Sequence, residues 1–305
     1  MTDSRAQDAF DHGRAFVEAS GRPLERARLR RRLGQATAGA VVAALVPYQN
    51  SDGGFGHGLE PDLATPASSA IATSTAFQAL REAGVGADEP MVRRGLAWLE
   101  GAFDWTGGVW PIIGPDVDLA PHAFWWDWSP DLAERWNGFR FNPSIELLGA
   151  LYAWRPAASA RLIERAEQAL LEDLEAGRAP VGAYDIKCGL RLVRTEAAPA
   201  PVKAGVEAAL RETIGRLDPD DEHAPALELA PAPGEPLAEL MAGRIDAAFE
   251  RLLSTQEADG SWRPFWDWSA VDAAAWAAAE RDWRGVLTRQ ALEALLAYGL
   301  AEVRP

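Results

Sequence analysis

The chain has 305 residues, 48% of them hydrophobic and 25% charged, and 45 acidic against 30 basic residues give a formal charge of −15. That composition supports a sizeable core and excludes disorder, while the acidic balance lacks the electrostatic footprint of a nucleic-acid binder and opposes an anionic membrane surface. A single cysteine rules out an internal disulfide framework and a cysteine-rich zinc module, and 13 Trp against 4 Tyr is the unusual feature of the composition.

The start, MTDSRAQDAFDHGRAF, has no apolar run of the kind that opens a secretory signal. The longest mostly apolar stretch, near residues 36–48, is interrupted by Gly39 and stopped by Pro47, well short of the roughly 20 residues that cross a bilayer. A cytoplasmic protein is therefore expected. Further along, Thr65-Pro66 and Asn142-Pro143 each predict an N-cap followed by proline at the first helical position. Residues 158–176 place Ile163, Ala166, Leu170 and Leu174 on one helical face, with Gly177 as the stop. Residues 202–217 and 237–252 show the same period. Residues 196–236 hold seven of the 21 prolines and predict a Pro/Ala-rich surface excursion around the helix at 202–217. Similar helical patterns on both sides predict one domain over 1–305. No stretch alternates with β-branched residues, so the fold class expected is all-α, with about eleven helices in close to six antiparallel pairs.

An internal repeat runs through this pattern. Residues 49–56 read QNSDGGFG, residues 94–110 read RGLAWLEGAFDWTGGVW, and residues 256–262 read QEADGSW. Each unit is an apolar helix, then Gln (Phe103 in the middle copy), then a Gly-containing turn that ends in an aromatic. Leu45, Leu99 and Leu252 stand four residues before that Gln or Phe, one helical turn back. Glycine allows the tight reversal, the aromatic folds onto helix ends, and the Gln amide can bond helix-terminal groups. Gln49, Gln256, Phe55, Trp110 and Trp262 are accordingly read as structural.

Three loops carry residues suited to chemistry. HAFWWDWS at 122–129 and RPFWDWS at 263–269 each follow a Gly turn and share a Trp-Asp-Trp-Ser core. Trp faces bind flat apolar surfaces and cations, and Asp127 and Asp267 supply an acid, a base or an acceptor; against this, the Trp rings could pack between helices and the aspartates could cap them. FGHGLEPDLAT at 55–65 is the matching loop of the first repeat, with His57 as a titrating group beside Glu60 and Asp62. The three loops are expected on one rim, with at least one carboxylate held among Trp rings and its pKa raised.

Arg94-Gly95, Trp98-Leu99 and Gly108-Val109-Trp110 make the middle unit similar to the QW repeat of the terpenoid cyclase and protein prenyltransferase superfamily, with Phe103 in place of the Gln. The first and third copies keep the Gln and the Gly turn without the basic-Gly and aromatic start. The resemblance implies a single α/α toroid around a central cavity. Among its motifs, the acidic string Asp218-Pro219-Asp220-Asp221 matches the proton-donating motif of protonating cyclases, but the prolines that follow forbid the helix that motif opens. Asp185, Cys188 and His223 are the only counterparts of the prenyltransferase zinc ligands, and Asp-x-x-Cys replaces that family's Asp-x-Cys.

What the resemblance and the loops together imply is an enzyme acting on an isoprenoid or other apolar small molecule. Asp127, Asp267, Asp62 and Glu60 would supply acid–base steps, while His57, His122, Trp125, Trp126, Trp128, Phe265, Trp266 and Trp268 would contact substrate. A carbohydrate-active toroid is the second expectation and a non-catalytic binding or assembly partner the third. No metal or other cofactor is expected, Mg²⁺ entering only with a diphosphate substrate, and a homodimer or a partner subunit stays open.

Overall fold

The computed structural model describes residues 4–217 and 226–303. Its α-helices are α1 (Ser4–Ser20), α2 (Pro23–Arg32), α3 (Ala38–Leu45), α4 (Ala70–Glu82), α5 (Pro90–Ala102), α6 (Leu132–Arg135) and α7 (Glu146–Ala153). They continue with α8 (Ala160–Glu175), α9 (Ala183–Val193), α10 (Ala200–Ile214), α11 (Ala226–Leu229), α12 (Ala242–Ser254) and α13 (Ala273–Ala297). Among the described residues there is no β-strand, only isolated bridges, and no helix long and apolar enough to cross a membrane. The all-α class expected from periodicity is the class observed.

The chain divides into two compact units, one holding α1–α3 and α11–α13 and the other α4–α10. In the first, α1 packs along α13, and Phe10, Val17, Leu292, Leu295 and Trp262 form one core with Phe249 of α12. Beside that core Glu25, fully buried, lies 2.8 Å from Arg289, 3.0 Å from Arg22 and 3.9 Å from Arg28. In the second unit α4, α7 and α9 form one layer, and α5, α8 and α10 pack against it. The layering follows from amphipathicity: α8 buries Leu162, Ile163, Ala166 and Leu170, and Glu164, Glu172 and Glu175 are exposed.

The repeated turns share one geometry within their own units. Gln49 Nε2 donates to the carbonyls of Gly53 and Met91, at 3.0 and 2.9 Å. Gln256 Nε2 donates to those of Gly260 and Ala9, at 2.9 and 2.8 Å. In both copies the distant carbonyl lies four residues before a helical glycine, Gly95 of α5 or Gly13 of α1. The turn glycine presses onto that same helix. A Cβ on Gly53 (φ 97°) would sit 2.4 Å from the Arg94 carbonyl oxygen, and one on Gly260 (φ 90°) would sit 2.5 Å from that of His12. No side chain fits at either place. The middle turn lacks Gln, and Arg165 of α8 does the equivalent work by donating to the Trp105 and Thr106 carbonyls.

Each turn also ties the backbone of its aromatic to a hydroxyl elsewhere in its own unit. The backbone N–H of Phe55, Trp110 and Trp262 donates to Thr73, Ser144 and Thr288 hydroxyls at 3.2, 2.9 and 3.1 Å. Nε1 of Trp110 and Trp262 donates to Leu99 and Leu252 carbonyls, both at 2.8 Å, so the leucines four residues before Phe103 and Gln256 are the acceptors at the preceding helix ends. The two indoles fill core space and satisfy orphan helix-terminal carbonyls with one side chain.

Several element boundaries differ from the sequence reading. Thr65 does not cap a helix at Pro66; its Oγ1 accepts from Ala67 N–H in a local turn, and Ser69 caps α4 by accepting from Ala72 N–H. Asn142-Pro143 lies inside a π-helical turn, Arg140–Ile145, that runs into α7 at Glu146. The segment at 237–252 begins with Leu237 in the left-handed region, and its α-helix starts only at Ala242. Asp218, Pro219, Asp220, Asp221 and His223 lie outside the described residues.

Candidate functional site

Two of the three predicted loops lie side by side in the second unit. Leu63 and His122 form an antiparallel bridge; Ala64 N–H donates to Pro121 C=O at 3.1 Å and Ala123 N–H to Asp62 C=O at 3.0 Å. Leu59, Leu63 and Asp62 are buried along this seam, and Glu60 is half-buried. His57 sits on the outer side at φ 56°, with Nε2 2.7 Å from Asn50 Oδ1. Asn50 Nδ2 donates to Pro66 C=O at 2.8 Å, which fixes the amide orientation and makes His57 Nε2 the donor. His57 thus ties its loop to the first Gly turn.

The second loop closes on its own histidine. His122 Nδ1 lies 2.7 Å from Ala120 C=O, an acceptor, so Nδ1 carries a proton and Nε2 is the ring nitrogen turned to the rest of the loop. Nε2 faces two carboxylates, Asp127 Oδ1 at 3.3 Å and Asp118 Oδ1 at 3.7 Å. The His122 side chain is only 13% exposed, whereas those of Asp127 and Asp118 are 66% and 50% exposed. Asp118 Oδ1 also accepts from Trp128 N–H at 3.2 Å. From beneath, Arg135 donates to Trp125 C=O, Asp127 C=O and Ser129 Oγ, spending its guanidinium on holding the loop. Trp126 is buried and stacks on Trp136, with centroids 4.8 Å apart and planes 2° from parallel. Phe124 and Trp128 face outward, and Trp125 packs edge-to-face on Phe124.

The third loop, in the first unit, repeats the letters with different chemistry. Phe265 packs edge-to-face on Trp266 as Phe124 does on Trp125, and Trp266 meets Trp283 edge-on at 5.0 Å. Trp268 is buried against Trp276, as Trp126 is against Trp136. The position of His122 is taken by Arg263, which pairs with Glu280. Asp267 turns back to accept from Ser269 N–H at 2.6 Å, and that bond holds its carboxyl below the usual carboxylate range. Asp267 is therefore an exposed turn residue and is not the carboxylate with a raised pKa expected among the loop acids.

The residues singled out for zinc are engaged otherwise. Asp185 Oδ2 accepts from Asn137 Nδ2 and Val181 N–H, at 3.0 and 3.1 Å, and burial raises its pKa despite those bonds. Cys188 is buried and donates to Glu146 Oε2 at 3.4 Å; burial and the Glu146 charge push its thiol well up. Among the described residues, no group of three or more His, Cys, Asp and Glu is arranged to hold a metal ion. A groove of about 510 Å³ runs along the open face of α8 between Arg155 and Glu175, and none of the loop residues lines it.

Asp118, Arg135 and Asn50 are the site residues that sequence reasoning missed. Asp118 stands four residues before His122, but in a short 3₁₀ turn, Pro115–Leu119, where no periodicity flags it. No family model matches the chain, and no curated protein is similar enough to match it.

Proposed function

We propose that the chain is a single α/α toroid of the terpenoid cyclase-like kind, acting by acid–base chemistry on a small organic molecule bound at the loop that carries His122 and Asp127. The observation that carries this reading is the imidazole whose Nδ1–H is fixed by Ala120 C=O while Nε2 faces Asp127 and Asp118. An imidazole held in one tautomer with carboxylates at its free nitrogen is equipped to pass a proton between the protein and a ligand above it. The recurrent turns, and the docking of the last of them on α1, support the ring arrangement. Arg135 is engaged by Trp125 C=O, Asp127 C=O and Ser129 Oγ, which argues against a diphosphate held at this loop.

The carbohydrate reading has one observation of its own: the outward aromatics Phe124 and Trp128 stand beside exposed carboxylates, a combination that suits sugar faces and hydroxyls. The experiment is native mass spectrometry of protein purified from cells, followed by turnover of the recovered ligand with wild type, His122→Gln and Asp127→Asn. A loss of turnover in both variants at unchanged melting temperature supports the proposal. Full turnover in either would remove His122 and Asp127 from the chemistry.

A further inference from the structure

We propose that the second unit binds one internal water molecule where the middle repeat turn, the π-helical turn and α8 meet, held by Arg140, Ser144 and Asp173. The site is separate from the His122 loop and does not depend on the function read from that loop. A cavity of about 10 Å³ lies at this junction, walled by Ile145, Leu148 and Ala166 and by the three polar residues. A single internal water needs roughly 10–15 Å³ of space and two to four polar partners. The cavity therefore has the size of one water and admits nothing larger.

The polar groups decide what occupies it. Arg140 donates from Nη1 to Asp173 Oδ2 at 2.6 Å, while its Nε is buried and meets no acceptor among the described residues. A buried guanidinium N–H is costly without an acceptor, and an ordered water is the usual means of supplying one. Ser144 Oγ accepts from Trp110 N–H at 2.9 Å, and its own O–H is a second donor. Asp173, with its side chain 9% exposed, has Oδ1 3.2 Å from Arg178 Nε, and each carboxylate oxygen keeps a further lone pair. A water here accepts from Arg140 Nε–H and Ser144 O–H and donates to Asp173, so donors and acceptors balance. Arg140 disfavours a cation in the same space and Asp173 an anion, which leaves a neutral ligand that both accepts and donates. The water joins three segments of chain: the repeat turn through Ser144 and Trp110, the π-helical turn through Arg140, and α8 through Asp173.

The test counts long-lived internal waters in the full chain by oxygen-17 magnetic relaxation dispersion, with circular dichroism to establish that each variant is folded. Ala166→Val adds methyl groups at the cavity wall and displaces the water. Arg140→Lys keeps a cation for Asp173 and puts a methylene where the buried Nε–H stands. Expected in both is a dispersion amplitude lower than wild type by one water. An amplitude equal to wild type in either folded variant overturns the inference. A crystal structure of the wild type, at a resolution that shows single waters, decides the matter if a variant does not fold. A water within hydrogen-bond distance of Arg140 Nε, Ser144 Oγ and a carboxylate oxygen of Asp173 upholds the site. Side-chain atoms filling the cavity, or Arg140 Nε bonded to an acceptor of the protein, overturn it.

Discussion

Replacing Gln49 or Gln256 by glutamate changes one NH₂ into an oxygen and nothing in shape. Each amide donates to two carbonyl oxygens, Gly53 and Met91 in one case, Gly260 and Ala9 in the other. Alanine at 256 deletes two net hydrogen bonds, about 2 kcal/mol at the usual ~1 kcal/mol apiece, and alanine at 49 deletes a third, because Gln49 Oε1 also accepts from Arg94. Glutamate deletes the two amide N–H bonds and sets a carboxylate oxygen against two acceptors in a partly buried turn, which costs a further ~1–3 kcal/mol for the unsatisfied groups. The order expected at 256 is wild type, then Ala, then Glu, whereas at 49 the Arg94 guanidinium that bonds Oε1 offsets part of the glutamate cost. Urea unfolding of each variant gives the free energies, and acidification below the carboxyl pKa should recover part of the Glu deficit, because a protonated carboxyl can donate one bond. Equal stability of Gln256→Ala and Gln256→Glu would refute the claim that the amide N–H pair staples this turn.

Acid should weaken the first unit through Glu25. Burial acts to raise its pKa, but the charges of Arg289, Arg22 and Arg28 outweigh it and hold the group at about 2. Because the folded value lies below the ordinary 4.5, the stabilisation is complete above pH 4.5 and disappears as pH falls toward 2; the shift corresponds to about 3 kcal/mol. Acid titration of unfolding should show that loss, and Glu25→Gln should remove the pH dependence while costing ~3–5 kcal/mol at neutral pH by leaving three buried guanidiniums short of a counter-charge. Cys188, buried with its thiol pKa pushed up, should resist thiol reagents in the native protein and react at once in urea. Trp110→Ala should destabilise by ~3–5 kcal/mol, since the fully buried indole both fills core and satisfies the Leu99 carbonyl, and Trp128→Ala by only ~1 kcal/mol because that residue is 42% exposed.

The parts of this fold that were legible in the sequence are those whose partners lie within one turn of chain. Gln49 with Gly53, Gln256 with Gly260, and the leucines four residues upstream stand close enough for spacing to expose them. Their other halves were hidden by distance: Gln256 meets Ala9 across 247 residues, and no local pattern marks the His12-Gly13 pair as its landing place. Local chemistry also misled where two readings compete. Thr65-Pro66 has the residue types of a helix start, yet Thr65 satisfies a nearer turn and Ser69 takes the cap. The two WDWS strings look equivalent letter by letter, but Asp127 faces His122, whereas Arg263 stands in the histidine's place in the other loop, paired with Glu280, and Asp267 accepts from Ser269 N–H. Asp118 was invisible because its link to His122 depends on a 3₁₀ turn that residue types alone do not specify.

The central claim is that a ligand sits at the His122–Asp127 loop and exchanges a proton there. Native mass spectrometry of wild type and Asp127→Asn, both purified from the same cells, tests it most directly when paired with the melting temperature of each. The account predicts a bound small molecule on the wild type that is lost or greatly reduced on Asp127→Asn, with both proteins melting within about 1 °C because Asp127 is an exposed side chain. The same bound mass at the same occupancy on both proteins would contradict it.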